Sequence, residues 1–117
     1  MHERSLVRAL LRQVEGLAAE HPENRVVQVR IRVGEFSGVE PDLLAMAYDD
    51  LVCETQFHGA VLAMERVPLE ATCDSCGQAF RIERFQFQCN ACGSLRLSLQ
   101  GGEELLLESV VMEENEP

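Results

Sequence analysis

Four of the five cysteines fall in two matching pairs, CDSCG at 73–77 and CNACG at 89–93. The spacing Cys73-x2-Cys76-x12-Cys89-x2-Cys92 puts four thiolates on two short hairpins, at the corners of a tetrahedron. That is the geometry of a structural zinc site. Gly77 and Gly93 follow the second cysteine of each pair. Glycine there lets the turn take a positive φ and aim backbone N–H groups at sulfur. Four protein ligands close the site, so it is structural rather than hydrolytic. Two rival chemistries use the same residues. Thioredoxin-like redox pairs come singly on a βαβ unit. A rubredoxin-like iron site would carry electrons and is usually wrapped in aromatic rings. Here Trp is absent, and the rings in the segment are Phe80, Phe85 and Phe87. Thiolate ligands at this spacing favour zinc. The segment of about thirty residues buries too little to fold without its metal.

A second constellation opens the chain, MHERS. The terminal amine of Met1, the amide of His2 and the His2 ring Nδ1 form fused chelate rings. The Glu3 amide or carboxylate can take the next position. Nitrogen-rich, nearly planar coordination suits Ni(II) and Cu(II). It requires that Met1 be retained, and the bulky His2 is expected to protect it. Spacing alone also admits a plainer reading, a solvated histidine ahead of a helix whose positive end favours Glu3. Cys53, the odd thiol, reads as buried and inert on the apolar side of a helix, since Asp49, Asp50 and Glu54 oppose thiolate formation. His21 and His58 stand alone in turns and read as solvated. No nucleophile–base pair or open catalytic zinc site is visible, so the chain does not read as an enzyme.

These groups need elements to hold them. Leu6, Val7, Leu10, Leu11, Val14, Leu17 and Ala18 recur at helical spacing and predict an amphipathic helix over 5–20, stopped at His21-Pro22. Arg25 to Val33 alternates, with Val27, Val29, Ile31 and Val33 inward, and predicts a half-buried strand. GEFSGVEPD breaks that pattern. Pro41 then opens a second helix to Cys53, its inner face Leu43, Leu44, Ala47, Tyr48 and Leu51. Gly59 marks a turn before a strand at Val61–Val67. Gly101-Gly102 closes the cysteine segment. The last strand, Glu104 to Glu113, carries LLLESVVM, apolar enough for a central position. The tail EENEP is acidic and predicted to fray. The expected fold class is α+β: two helices on a three-stranded sheet, residues 1–68 with 102–117, and an inserted zinc ribbon at 69–101.

Composition narrows the partners. In 117 residues the apolar share of 46% suffices for a core, which argues against disorder. A net charge of −10 makes nucleic acid and anionic membrane poor partners and favours cations and basic protein surfaces. Neither a signal peptide nor a membrane-length apolar run is visible, so the cytoplasm is the expected location. An odd cysteine count there argues against a disulfide framework.

The initial MHE, the amphipathic helix, the strand running into RVGEFSGVEPDLL and the paired CxxCG knuckles together resemble the HypA/HybF family, nickel metallochaperones of [NiFe]-hydrogenase maturation. The resemblance spans essentially the whole chain. It implies that His2 is the principal nickel ligand, helped by Met1 and Glu3, and that Cys73, Cys76, Cys89 and Cys92 bind zinc. It implies a HypB-type GTPase as partner and the hydrogenase large subunit as acceptor. Urease maturation proteins are a further partner class that relatives serve. Monomer and homodimer both remain open. Nickel affinity is expected to fall below about pH 6, because an imidazole of pKa roughly 6.5 must shed its proton to bind. Arg4 departs from the family pattern, in which an apolar or aromatic residue follows MHE. The residues alone also admit a zinc-ribbon interaction module that delivers no nickel.

Overall fold

A computed structural model describes residues 3–115 of the chain. Helix α1, Glu3–Ala19, buries Val7, Leu10, Leu11 and Val14 on one face. It closes where His21 N–H bonds to the Ala18 carbonyl at 3.0 Å, just before Pro22. Strand β1, Asn24–Gly34, is followed by α2, Pro41–Val52, and β2, Val61–Val67. Proline at the start of α2 loses nothing, since its N–H would have no partner in the helix anyway. β1 and β2 run parallel, and α2 supplies the crossover a parallel pair requires. β6, Leu105–Glu114, returns antiparallel to β1. The sheet order is β2-β1-β6. Its inner residues Val29, Ile31 and Val33 meet Leu44, Ala47, Tyr48 and Leu51 of α2 and the buried face of α1 in one core. The Tyr48 hydroxyl donates to the Ala60 carbonyl at 2.8 Å, which satisfies the one polar atom it buries.

Several expectations need correcting. The apolar last strand is an edge, not the centre: β1 lies between the other two. The crossover places β2 on one side of β1, and the returning chain takes the other. Leu105, Leu107 and Val110 of β6 still pack on the core, while Leu106 and Val111 lie on the sheet face away from the helices and are exposed. Leu43 is half exposed and Val52 takes the core position instead. The β1–β6 register slips between Val26 and Gln28. This bulge breaks strict alternation at Val27, and Val26 packs on the core. Leu17, in the last turn of α1, is 38% exposed.

Between β2 and β6 the chain forms a second three-stranded sheet, which periodicity did not reveal. β3, Glu70–Cys73, is flanked by β4, Ala79–Arg81, and β5, Leu97–Gln100. Both pairings are antiparallel. Its core is small: Leu69, Ala71 and Ile82, with Phe80 and Leu97 half-buried around them. The molecule is long, 62 Å by 25 by 17. Its radius of gyration, 18.2 Å, exceeds the roughly 13 Å of a compact chain this size.

The GEFSGVEP stretch makes the junction between the two sheets. Glu35 N–H bonds to the Val67 carbonyl at 2.9 Å and Phe36 N–H to the Gly102 carbonyl at 2.7 Å. The Glu35 carboxylate pairs with Arg81 of β4. The Phe36 ring packs into the small core of the second sheet, edge-on to Phe85 at 4.9 Å and Phe87 at 5.9 Å. Ser37 then folds the loop back, its hydroxyl donating to the Gly34 carbonyl and accepting from Val39 N–H. Two glycines permit the approach. A Cβ on Gly34 would lie 2.2 Å from the Gly102 oxygen, and one on Gly102 2.6 Å from the Leu69 Cα.

Candidate metal centre

The two knuckles are built alike. Cys73 N–H bonds to the Gln78 carbonyl and Gly77 N–H to the Cys73 carbonyl, at 2.9 and 2.8 Å. Cys89 N–H bonds to the Ser94 carbonyl and Gly93 N–H to the Cys89 carbonyl, both at 2.9 Å. The turns close on Gly77 at φ 78° and Gly93 at φ 77°, as the sequence predicts. β3 ends in the first knuckle and β5 follows the second, so their pairing brings the knuckles face to face. A Ser75–Ser94 hydroxyl contact of 3.0 Å and the Ser98–Asp74 bond of 2.7 Å tie them laterally.

The four sulfurs converge within 4.8 Å of one another. Cys73 and Cys92 stand 3.6 Å apart across the knuckles, and so do Cys76 and Cys89. Sulfurs bound to one zinc at about 2.3 Å lie about 3.8 Å apart, so the cluster fits a tetrahedral ion. All four cysteines are free thiols. Cys73 and Cys89 are buried, whereas Cys76 and Cys92 face outward. Such a site is shielded on one side and reachable by solvent on the other.

The local electrostatics divide the sulfurs by position. N–H groups of Cys76 and then Ser75 point at Cys73 and hold its thiol down to about 6. Those of Cys92 and Ala91 lower Cys89 in the same way. Cys76 receives one N–H, from Gln78, but the Cys89 sulfur and burial outweigh it and raise its pKa. Cys92 receives one from Ser94, yet the Cys73 sulfur and burial push it up to about 12. The first cysteine of each knuckle therefore leans to thiolate and the second to thiol. A divalent cation would take the place of the shared protons.

The other constellation is reached only in part. Met1 and His2 lie outside the described residues. Glu3 begins α1 at its half-buried first turn, where the helix dipole favours a carboxylate. Arg4 turns to Asp50 of α2 at 3.6 Å, so its charge is partnered. Cys53 corrects an expectation: it caps α2 in an exposed position, its thiol donating to the Asp49 carbonyl at 3.1 Å. His21 and His58 are exposed, as predicted. Among the described residues, no helix is long and apolar enough to cross a membrane.

Comparison with known proteins extends over the same residues. Residues 1–112 match the family described as hydrogenase/urease nickel incorporation, metallochaperone, hypA. Hydrogenase maturation factor HypA of Nitrosospira multiformis is 40% identical over 94% of this chain and 96% of its own. That of Desulfitobacterium hafniense is 36% identical over 97% of this chain and all of its own. The fold is similar to the solution structure of the Ni metallochaperone HypA from Helicobacter pylori, with TM-score 0.68 and 24% identity over 98% of this chain and 100% of that one. A second solution structure of HypA protein gives TM-score 0.72 and 25% identity over 97% of each chain.

Proposed function

The chain belongs to the HypA family, and on that premise we propose that it is a nickel metallochaperone of hydrogenase maturation. It binds Ni(II) at its N-terminus through His2, with Met1 and Glu3 completing the set, and passes it to the [NiFe]-hydrogenase large subunit. The observation that carries this reading is the family match over 1–112, which takes in the N-terminal residues and all four cysteines together. A HypB-type GTPase is the proposed partner in loading, and urease maturation proteins are a second class of recipient. The work is done in the cytoplasm and consists of delivery rather than catalysis.

In this reading Cys73, Cys76, Cys89 and Cys92 hold a resident Zn(II). The convergent sulfurs support that assignment. With all four positions filled by protein, such an ion organises the ribbon and activates no water. The chain divides into a nickel-binding unit, 1–68 with 102–117, and a ribbon, 69–101. A ligand set at the chain terminus suits transfer, because an acceptor can replace its ligands one at a time. A cage in the core would not release its ion so readily. The Irving–Williams order favours Cu(II) over Ni(II) at a nitrogen-rich site, so nickel selectivity rests on metal supply and on partners.

The test is a nickel titration of untagged, zinc-loaded protein beside the same protein with one glycine added before Met1. The addition keeps every side chain and displaces only the amine. Tight binding by the first and weak binding by the second is the expected result. Equal binding would leave a zinc-ribbon interaction module as the better account.

A further inference from the structure

The junction between the two sheets carries a cleft that metal binding does not use. It has a volume of about 410 Å³ and is walled by Phe36, Phe85 and Ile82. Arg66, Arg81 and Arg84 line it, against Glu35 and Glu83. Arg81 is occupied by Glu35, whereas Arg66 and Arg84 form no ion pair among the described residues. The cleft is therefore net positive on a chain of net charge −10.

The backbone beside it is strained. Arg84 and Phe85 stand consecutively at φ 52° and 58°, the left-handed region that side chains other than glycine seldom adopt. Phe85 is also 76% exposed, though its edge meets Phe36. Folding stability gains little from an aromatic ring held in solvent on a strained turn. The exposed Phe85 ring, with Arg66 and Arg84, gives the cleft an apolar and a cationic side together.

We propose that this cleft docks an acidic peptide segment of a partner protein, one apolar side chain seated on Phe36 and Phe85 and its carboxylates on Arg66 and Arg84. Arginine forks match carboxylates in a two-bond geometry. Arginine and aromatic side chains are also the usual anchors of protein interfaces. A short peptide feels mainly charges within a Debye length, about 8 Å at physiological salt. A nucleic acid, longer and more densely charged, meets the repulsion of the whole molecule. The inference extends the handover to a partner proposed above, but it is read without nickel. Its failure and that of nickel binding are thus separable.

The probe is a fluorescein-labelled EELFEE peptide, titrated by polarisation into the zinc-loaded full chain. Saturable binding that weakens with salt is expected, and KKLFKK should not bind. Phe85→Ala and Arg66→Glu should each weaken EELFEE roughly tenfold or more, as for interface anchors. Arg84→Gly is the discriminating variant, because it removes the cation and also relieves the left-handed strain. Its thermal midpoint should hold or rise while affinity falls. Unchanged peptide affinity in Arg84→Gly would overturn the proposal. So would a chain that ignores EELFEE, and binding of a short oligothymidylate in its place would point to nucleic acid instead.

Discussion

Alanine at Gly34 and alanine at Gly16 are the same chemical change with opposite expected signs. At Gly34 the new Cβ lies 2.2 Å from the Gly102 oxygen, 2.3 Å from its carbonyl carbon and 2.8 Å from the Glu103 nitrogen. All three atoms are backbone, so no side chain can swing aside. Carbon and oxygen rest at about 3.3 Å or more, which demands a separation of roughly 1 Å. The bonds from Gly34 N–H to the Glu104 carbonyl and from Phe36 N–H to the Gly102 carbonyl lie across that gap. Overpacking costs about 1–3 kcal/mol, and each weakened bond up to about 1 kcal/mol. The expected loss is therefore about 1–5 kcal/mol. Gly16 is exposed on α1 with nothing within 4 Å of an added Cβ. Alanine there should gain about 0.5–1 kcal/mol from helix propensity. Guanidinium denaturation of both zinc-loaded variants beside the native chain measures the pair. A Gly34→Ala variant within about 0.5 kcal/mol of native would refute the close junction, provided Gly16→Ala moves as expected.

Two further outcomes follow from single residues. Burial, and then the Asp49 charge, push the Tyr48 phenol up to about 12. As pH rises from about 10 to 12 the unfolded chain loses this proton and the folded one keeps it, so stability falls with pH by up to ~2–3 kcal/mol. Tyr48→Phe should remove that part of the alkaline fall, at a cost of about 1 kcal/mol for the lost bond to the Ala60 carbonyl at lower pH, as seen in unfolding midpoints across the range. Thiol titration of the zinc-loaded chain should find one fast-reacting cysteine, the exposed Cys53, and all five after chelation. Cys53→Ser should abolish the fast one, and persistence of a fast thiol would show the four-sulfur cluster to be open.

What the sequence revealed depended on range. The knuckles were legible because Cys73, Cys76, Cys89, Cys92 and the two glycines set their geometry over five-residue spans. Helices α1 and α2 and strand β2 were legible for the same reason, through apolar periodicity. The edge position of β6 was not, because LLLESVVM states how apolar a strand is and nothing about its neighbours. Nor was the exposure of Cys53, which turns on where α2 stops rather than on its apolar pattern. Phe36 gave no local signal at all. Its packing on Phe85 and Phe87 joins residues about fifty apart in the chain, as does the Glu35–Arg81 pair. The second sheet hid for a related reason: β4 and β5 are three and four residues long, too short to show a period.

The placement of the ribbon between β2 and β6 bears on how the chain folds. Val33 must find Leu105 before the main sheet is complete. In a loose chain that encounter closes a loop of roughly seventy residues. Once the second sheet has formed, Leu69 and Gly102 are already neighbours. The ribbon then behaves as a tied-off side branch, and the loop left to close is about half as long. Halving a loop lowers its closure cost by about 0.6 kcal/mol, close to a threefold gain in rate if closure limits folding. A metal that held the ribbon folded would thus favour one order of events, ribbon first and last strand second.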